Sequence, residues 1–246
     1  MPQILLFTLA PFLAAIVGAG VTAWRRPGPQ LVSAIQHFAA GVVFAAAASE
    51  ILPDLKHAGA VWPVMIGGGA GIAVMLLIQT LEAKAKGAFG LLATIGVDIF
   101  IDGMVLGLSF VAGQTQGLLL TIALTIEILF LGLTIAVGLK TGSWARTVGV
   151  TALLALLLPF GALLSAPIAA LPPALVTTFL AFGLVALLYL VTEELLVEAH
   201  EVPDRPWITA MFFVGFLLLL LMADLMETPS TVTALPAVRP VPASAN

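Results

Sequence analysis

Three acidic residues stand in the middle of long apolar stretches, where a charged side chain is costly. Asp98 and Asp102 lie in one stretch, and Glu127 lies near the centre of the next. An acid at the centre of a membrane helix costs about 2.5 to 3.5 kcal/mol, so three acids facing lipid would cost on the order of 7 to 10 kcal/mol. We therefore expect all three to face the interior of the protein.

The spacing of Asp98 and Asp102 places both on one face of a helix, because residues at i and i+4 lie one turn apart. Thr94 and Ser109 extend this face into a polar stripe. Two like charges at this distance repel in a low dielectric, and a proton or a cation relieves the repulsion. No Lys or Arg lies within the apolar stretches away from their ends. The candidates are therefore protons or a divalent cation held by carboxylates.

A structural explanation of these acids stays open. One or more of them could be neutral and form hydrogen bonds between helices, as Asn and Gln do in membrane proteins. Three acids at one depth favour a cation pathway over this explanation.

The composition indicates which elements position these acids. The chain has 246 residues, of which 61% are hydrophobic and 9% are charged, whereas soluble domains have roughly 45 to 50% and about 25%. This excludes a soluble fold. Eight apolar stretches are long enough to span a bilayer, and we label them α1 to α8: residues 3–24, 31–52, 61–81, 88–112, 117–139, 144–170, 174–197 and 207–225.

The basic residues predict the orientation of these spans. Seven of the nine Lys and Arg residues follow α1, α3, α5 or α7, whereas Lys56 and Arg239 lie on the other side. The positive-inside rule therefore places both termini outside. Residues 1–227 are predicted to form one transmembrane domain, and the Pro-rich tail 228–246 is predicted to be disordered. We expect a multi-pass protein of the inner (plasma) membrane of a prokaryote, with the lipid bilayer as a partner.

Several function classes are excluded or disfavoured. The chain has no Cys, so it has no disulfide and no thiolate metal site. Its isoelectric point near 5.2 argues against nucleic acid as a partner. The sequence contains no His-Glu-x-x-His segment and no serine nucleophile motif within its spans, so we expect no enzyme.

Two offsets indicate an internal repeat. An offset of 144 residues aligns α1, α2 and α3 with α6, α7 and α8 without a gap, and places Glu50-Ile-Leu-Pro-Asp54 over Glu194-Leu-Leu-Val-Glu198. An offset of 29 residues places 98–103 over 127–132. Since α2 and α7 run in opposite directions, the chain is predicted to be a 3+2+3 inverted repeat, as in carriers that alternate access. Alternatively, helices rich in Leu and Ala align by composition alone.

Further polar residues lie near the ends of the spans. Toward the outside these are Glu50, Asp54, His57, Asp224 and Glu227, and toward the inside Glu193, Glu194, Glu198, His200, Glu201 and Asp204. Acidic residues at the two ends of a pathway would concentrate cations there, although solvated helix ends have the same composition. His37, a few residues toward the inside from the centre of α2, is a candidate metal ligand or a hydrogen-bonded packing residue.

Two of the spans resemble helices of the ZIP (Zrt/Irt-like) family of divalent-metal transporters. Residues 37–54 are similar to the second helix of that family, and Tyr189-Leu-Val-Thr-Glu193-Glu194-Leu-Leu is similar to the seventh. Asp98-Ile-Phe-Ile-Asp102-Gly103 occupies the place of the family's His-Asn-x-Pro-Glu-Gly metal motif.

The resemblance implies a metal site and a mechanism. Asp98 stands at the metal-binding His, Asp102 at the metal-binding Glu, and Glu127 at the first polar position of the helix 5 motif. It also implies an elevator in which α1, α4, α5 and α6 move against α2, α3, α7 and α8, often within a homodimer. The family's second metal position is filled by apolar residues, so one ion is expected: Ile99, Ile128, Leu131 and Leu158.

The sequence therefore predicts a divalent cation transporter with a carboxylate site at mid-membrane. The substrate could be Zn, Mn, Fe, Co or Cd, and an all-oxygen site suits Mn(II), Mg(II) or Ca(II) better than zinc. The glycines Gly67, Gly68, Gly69 and Gly71 are predicted either to line the interface between the two helix groups or to serve ordinary close helix packing. Two alternatives stay open: a receptor or scaffold that keeps the fold without transport, and a carrier coupled to protons or monovalent cations.

Overall fold

Helices account for almost all of the chain that can be described. The computed structural model describes residues 2–25, 27–57, 59, 61–84, 88–139, 143–203 and 205–226. Within these ranges eight helices are long and apolar enough to cross a membrane, which confirms the predicted number of spans, and no strand occurs. The predicted tail 228–246 lies outside the described residues. The helices are α1 Pro2–Trp24, α2 Pro29–His57, α3 Val61–Lys84, α4 Ala88–Ala112, α5 Gln114–Gly138, α6 Trp144–Ala169, α7 Pro173–Ala199 and α8 Pro206–Met226.

Residues at the helix ends explain where two of the spans begin. Pro29 occupies the first turn of α2, where its missing N–H would have no partner in any case. Ser143 precedes α6, and its Oγ accepts a hydrogen bond of 3.4 Å from the backbone N–H of Arg146. The observed limits lie within a few residues of the predicted ones except at the end of α2.

The end of α2 differs from the prediction because the helix continues through Pro53 to His57. A proline inside an α-helix lacks the N–H of one backbone hydrogen bond, and its ring clashes with the carbonyl of residue i−4. A π-helical turn over Ala47–Ile51 lies just ahead of Pro53. Such a turn widens the helix locally and accommodates the proline ring. The helix therefore continues past Pro53 instead of ending there.

Two other helices are also irregular. A π-helical turn occupies Leu190–Leu195 in α7 and contains Glu193 and Glu194. The α-helical geometry of α6 is interrupted at Leu156, three residues ahead of Pro159. The π-helical turn of α7 places Glu193 and Glu194 in a wider turn than a regular helix would.

The helices differ in how deeply they are buried. In the most apolar part of α4, 72% of the residues are buried, compared with 17% in α3. Helices α2 and α5 resemble α4 in this respect, whereas α8 resembles α3. The outer helices expose many large apolar side chains, as surfaces in contact with lipid do. The two helices that carry the mid-span acids are therefore central.

Glycines allow four pairs of helices to approach at backbone distance, as is common between membrane helices. At each of these glycines a Cβ atom would meet a carbonyl oxygen of the partner helix. The contacts are Gly18 with Leu129 and Gly132 with Ala15 (α1–α5), Gly161 with Phe100 and Gly103 with Leu158 (α4–α6), Gly41 with Phe212 and Gly215 with Phe38 (α2–α8), and Gly67 with Thr178 and Gly71 with Phe182 (α3–α7).

The glycines of α3 do not lie where the sequence predicts. Gly67 and Gly71 pack against α7, which belongs to the same predicted group as α3, and nothing lies within 4 Å of a Cβ built on Gly69. The prediction that they line the interface between the groups is therefore wrong, and Gly67 and Gly71 instead serve ordinary close helix packing, the alternative that the sequence left open. Between the groups, Gly183 of α7 packs against Val105 of α4.

Candidate metal centre

The three mid-span acids are buried, as their cost in lipid requires. The exposed fractions of Asp98, Asp102 and Glu127 are 2%, 1% and 0%. Both aspartates lie in the middle of α4, and Glu127 lies in the middle of α5. These two helices pack against each other, so the acids share the interior of the bundle.

The three acids interact electrostatically with one another and with a fourth acid, Glu194. Asp102 experiences the charges of Glu127 and Glu194, and Glu127 experiences those of Asp98 and Glu194. Glu194 lies in the π-helical turn of α7. The sequence predicts Glu194 only as part of the inner mouth. We call Asp98, Asp102, Glu127 and Glu194 the acidic cluster.

Two members of the acidic cluster have carboxylate oxygens without a hydrogen-bond partner among the described residues. These are both oxygens of Glu127 and Oδ2 of Asp102. None of the Lys and Arg side chains that the structure describes is buried, so no basic residue compensates the cluster from within the bundle. A buried carboxylate in this position needs a proton or a bound cation.

The acids are near one another without forming a coordination shell. In the part of the chain that the structure describes, no three His, Asp or Glu side chains are gathered closely enough to hold a metal ion. Asp98 and Asp102 border a narrow crevice that also contacts Met75 of α3 and Ala186 of α7, and this crevice has no room for a water molecule. The predicted convergence of three carboxylates on one ion is thus absent from this conformation.

A cavity connects the neighbourhood of the acidic cluster with one end of the bundle. It has a volume of about 200 Å³, and its polar lining includes Thr94, Glu193, Glu194, Glu198 and Glu201. It shares lining residues with a neighbouring cavity of about 470 Å³ that reaches Pro27 and Gln36. We call the two together the inner vestibule, and the end at which α1 and α7 finish the inner end, after the predicted orientation.

The other polar residues of α4 have partners in their own helix. The hydroxyl of Thr94 donates to the carbonyl of Gly90 at 3.3 Å, and that of Ser109 donates to the carbonyl of Val105 at 3.0 Å. Both side chains are buried. Thr94 also lines the inner vestibule, so it is the better placed of the two to contact a passing ion.

The predicted pathway residues at the opposite end of α2 differ in burial. Glu50 is 8% exposed, and its Oε1 accepts a hydrogen bond of 2.8 Å from Ser49. Asp54, one turn further on, is half-buried. At the inner end, Glu193, Glu198 and His200 are exposed.

The start of α2 and the end of α7 are joined at the inner end. Ser33 Oγ donates to the carbonyl of Ala199, and Gln36 Nε2 donates to Glu198 Oε2, each at 2.7 Å. The ring centroids of His37 and His200 are 4.9 Å apart. This pairing of histidines 163 positions apart in the sequence could not be predicted from the sequence, because no pattern within either helix indicates it.

The residues at the predicted second metal position are fully apolar and belong to the core. Ile99, Ile128, Leu131 and Leu158 are all buried. These four side chains carry no oxygen or nitrogen that could bind a second ion.

No protein-family model matches the chain, and no curated protein sequence matches it.

Proposed function

We propose that this protein transports a divalent cation, as a divergent member of the ZIP type, through a site made by Asp98, Asp102 and Glu127. The observation that carries the proposal is the acidic cluster itself. Its members come from three helices, their charges act on one another, and no buried basic residue among the described side chains compensates them. Such intramembrane acids mark ion pathways.

The hydrogen-bonding of Glu127 argues against a purely structural role for the acids. An acid that joins helices as a hydrogen-bonding group needs a partner on a neighbouring helix. Neither oxygen of Glu127 has a hydrogen-bond partner among the residues described, although the residue is completely buried. A ligand that binds and leaves, such as a cation or a proton, explains this better.

The inner vestibule supports a pathway for cations. It is lined by four glutamates of α7 and the following turn, and one of these, Glu194, belongs to the acidic cluster. Carboxylates along a cleft raise the local concentration of cations. The vestibule would therefore guide a cation between the inner end and the cluster, as expected of an inward-facing state.

An inverted repeat is part of the proposal, and the helix contacts at α2, α3, α7 and α8 support it. Gly71 contacts the carbonyl of Phe182, and Gly215 contacts that of Phe38; each residue of one pair differs by 144 positions from its counterpart in the other. The π-helical turns at Ala47–Ile51 and Leu190–Leu195 also overlap at this offset, which places residues 47–51 over 191–195.

Contacts of the remaining helices support the repeat in the same way. The contact of Gly18 with Leu129 would be the counterpart of that of Gly161 with Phe100. These two contacts are separated by 29 positions between α4 and α5 and by 143 positions between α1 and α6, compared with the predicted offsets of 29 and 144. Inverted repeats allow one set of helices to rock against the other around a central site.

In this mechanism the cation organises its own site. The carboxylates do not form a coordination shell in the conformation described, and binding of a divalent ion would draw Asp98, Asp102 and Glu127 together by neutralising their repulsion. Movement of α1, α4, α5 and α6 against the other helices would then expose the site to the opposite side.

Uptake of Mn(II) into proteoliposomes tests the proposal. The protein should admit Mn(II) faster than protein-free liposomes do, and Asp102→Asn should abolish this uptake. Asp224→Asn should retain most of it, because Asp224 is an exposed residue at the end of α8, outside the acidic cluster and the inner vestibule. Correctly folded protein without uptake would favour the receptor or scaffold. Proton flux without metal flux would favour the proton-coupled carrier.

A further inference from the structure

A pair of histidines lies at the inner end, outside the acidic cluster. His37 of α2 is 1% exposed, and His200, which follows α7, is exposed. Their ring centroids are 4.9 Å apart, and the ring planes are tilted by 60°. The hydrogen bonds of Ser33 and Gln36 to the end of α7 hold the two helix ends together beside the pair.

Both rings are oriented by the same type of contact. Nδ1 of His37 lies 2.9 Å from the carbonyl oxygen of Ser33, and Nδ1 of His200 contacts the carbonyl oxygen of Leu196. A carbonyl can only accept, so in each ring Nδ1 carries the proton. In the neutral ring Nε2 is then the acceptor. Metal-binding histidines are commonly oriented in this way, with one nitrogen bonded to a carbonyl and the other to the metal.

The buried histidine has an unused acceptor. Nε2 of His37 has no hydrogen-bond partner among the described residues, although the side chain is almost completely enclosed. Buried polar atoms are normally satisfied. A nitrogen in this state, beside a second imidazole, is suited to bind a metal ion.

Carboxylates lie close to the pair. Glu201 lines the same surface cleft as His200, and Glu198 accepts a hydrogen bond from Gln36, the residue before His37. Both glutamates also line the inner vestibule. Two imidazoles with a carboxylate and water are a common ligand set for zinc.

We propose that His37 and His200 form a second metal site, specific for a zinc-type transition-metal ion, which Glu201 and water complete on binding. The two histidines supply two ligands, which agrees with the absence of a preformed group of three in the described ranges. The site is independent of the transport proposal. His37 lies in α2 and His200 directly follows α7, two helices proposed to stay fixed, and both histidines lie beside the vestibule.

The donor atoms distinguish this site from the acidic cluster. Imidazole nitrogen favours Zn(II) and Co(II), whereas carboxylate oxygen suits Mn(II) or Mg(II). A zinc-type ion would therefore bind at the inner end under conditions in which Mn(II) does not.

Titration of the protein with Co(II) in detergent tests this site, because Co(II) in a four-coordinate, tetrahedral site absorbs visible light far more strongly than hydrated, six-coordinate Co(II) does, and two imidazoles, a carboxylate and water would form such a site. The chain has three histidines, and His57 is exposed at the far end of α2, so His57→Gln is the matched control. We expect His37→Gln and His200→Gln each to weaken Co(II) binding by at least about tenfold, with no change for His57→Gln.

Two further results test whether the histidine pair binds the metal. His200 is exposed, so His200→Gln should elute like the native protein in size-exclusion chromatography and is decisive even if His37→Gln misfolds. Asp102→Asn should keep the Co(II) bands even if it abolishes transport. This variant therefore distinguishes a failure of the histidine site from a failure of the transport proposal. Equal Co(II) affinity of the native protein and His200→Gln, or loss of the bands in Asp102→Asn, would overturn the proposal.

Discussion

Gly183 of α7 packs so closely against Val105 of α4 that a Cβ atom on Gly183 would lie 2.5 Å from Val105 Cγ2. Val105 is completely buried and follows Asp102 by less than one helical turn. This contact joins one helix of the proposed moving group to one helix of the proposed fixed group. A larger residue at position 183 should therefore lower the rate of transport more than it lowers the affinity for the metal.

Replacement of Gly183 by Val tests this contact. We expect the rate of Mn(II) uptake to fall several-fold while the affinity for Mn(II) stays nearly constant, because the added methyl groups obstruct sliding of α4 without touching the carboxylates. Gly69→Val is the control, since Gly69 has no neighbour within 4 Å. Unchanged uptake in Gly183→Val, or equal loss of uptake and affinity, would contradict the elevator.

The contact between Gly103 and Leu158 should determine stability. A Cβ on Gly103 would overlap the backbone of Leu158, which cannot rotate away, so we expect Gly103→Ala to lower the free energy of unfolding by about 1 to 3 kcal/mol or more. Gly20→Ala meets no neighbour within 4 Å and should be neutral or slightly stabilising. Thermal unfolding in detergent would measure both. Equal stability of the two variants would mean that α4 and α6 do not approach this closely.

The inner vestibule should admit water-soluble reagents from one side only. Because the chain has no cysteine, single cysteines report accessibility without background. We expect Thr94→Cys to react with a membrane-impermeant thiol reagent added on the cytoplasmic side. Ser109→Cys, which is also buried in α4 but does not line the inner vestibule, should stay unlabelled. Labelling of Thr94→Cys only from the external side would reverse the predicted orientation.

The proposed ligand at position 98 should determine which metal is preferred. Asp98→His introduces an imidazole into an all-oxygen ligand set, so selectivity should shift from Mn(II) toward Zn(II). Competition between the two ions during uptake is the appropriate measurement, because Zn(II) binds most ligand sets more tightly than Mn(II) does, and affinity alone would therefore not report selectivity. An unchanged selectivity ratio would show that Asp98 does not contact the ion.

Much of the membrane architecture could be predicted from composition and charge. Eight apolar stretches predicted eight spans, because a helix must satisfy its backbone within the bilayer and needs about 20 apolar residues to do so. The burial of Asp98, Asp102 and Glu127 was also predictable, from the cost of a charge in lipid.

Features that depend on contacts between distant helices could not be predicted. The passage of α2 through Pro53 depends on a π-helical turn, which leaves no clear signal in the sequence. The α3 glycines indicated close packing but not the partner helix, and that partner is α7. Glu194 and His200 were recognised as polar residues near the end of a span, but only the folded bundle relates them to Glu127 and His37.

Anomalous diffraction from crystals grown with Mn(II) tests the central claim most directly. We predict one peak between α4 and α5, within about 2.0 to 2.6 Å of carboxylate oxygens from Asp98, Asp102 and Glu127, and its loss in Asp102→Asn crystals. A native structure at saturating Mn(II) with the three carboxylates still apart and no peak between them would contradict the account.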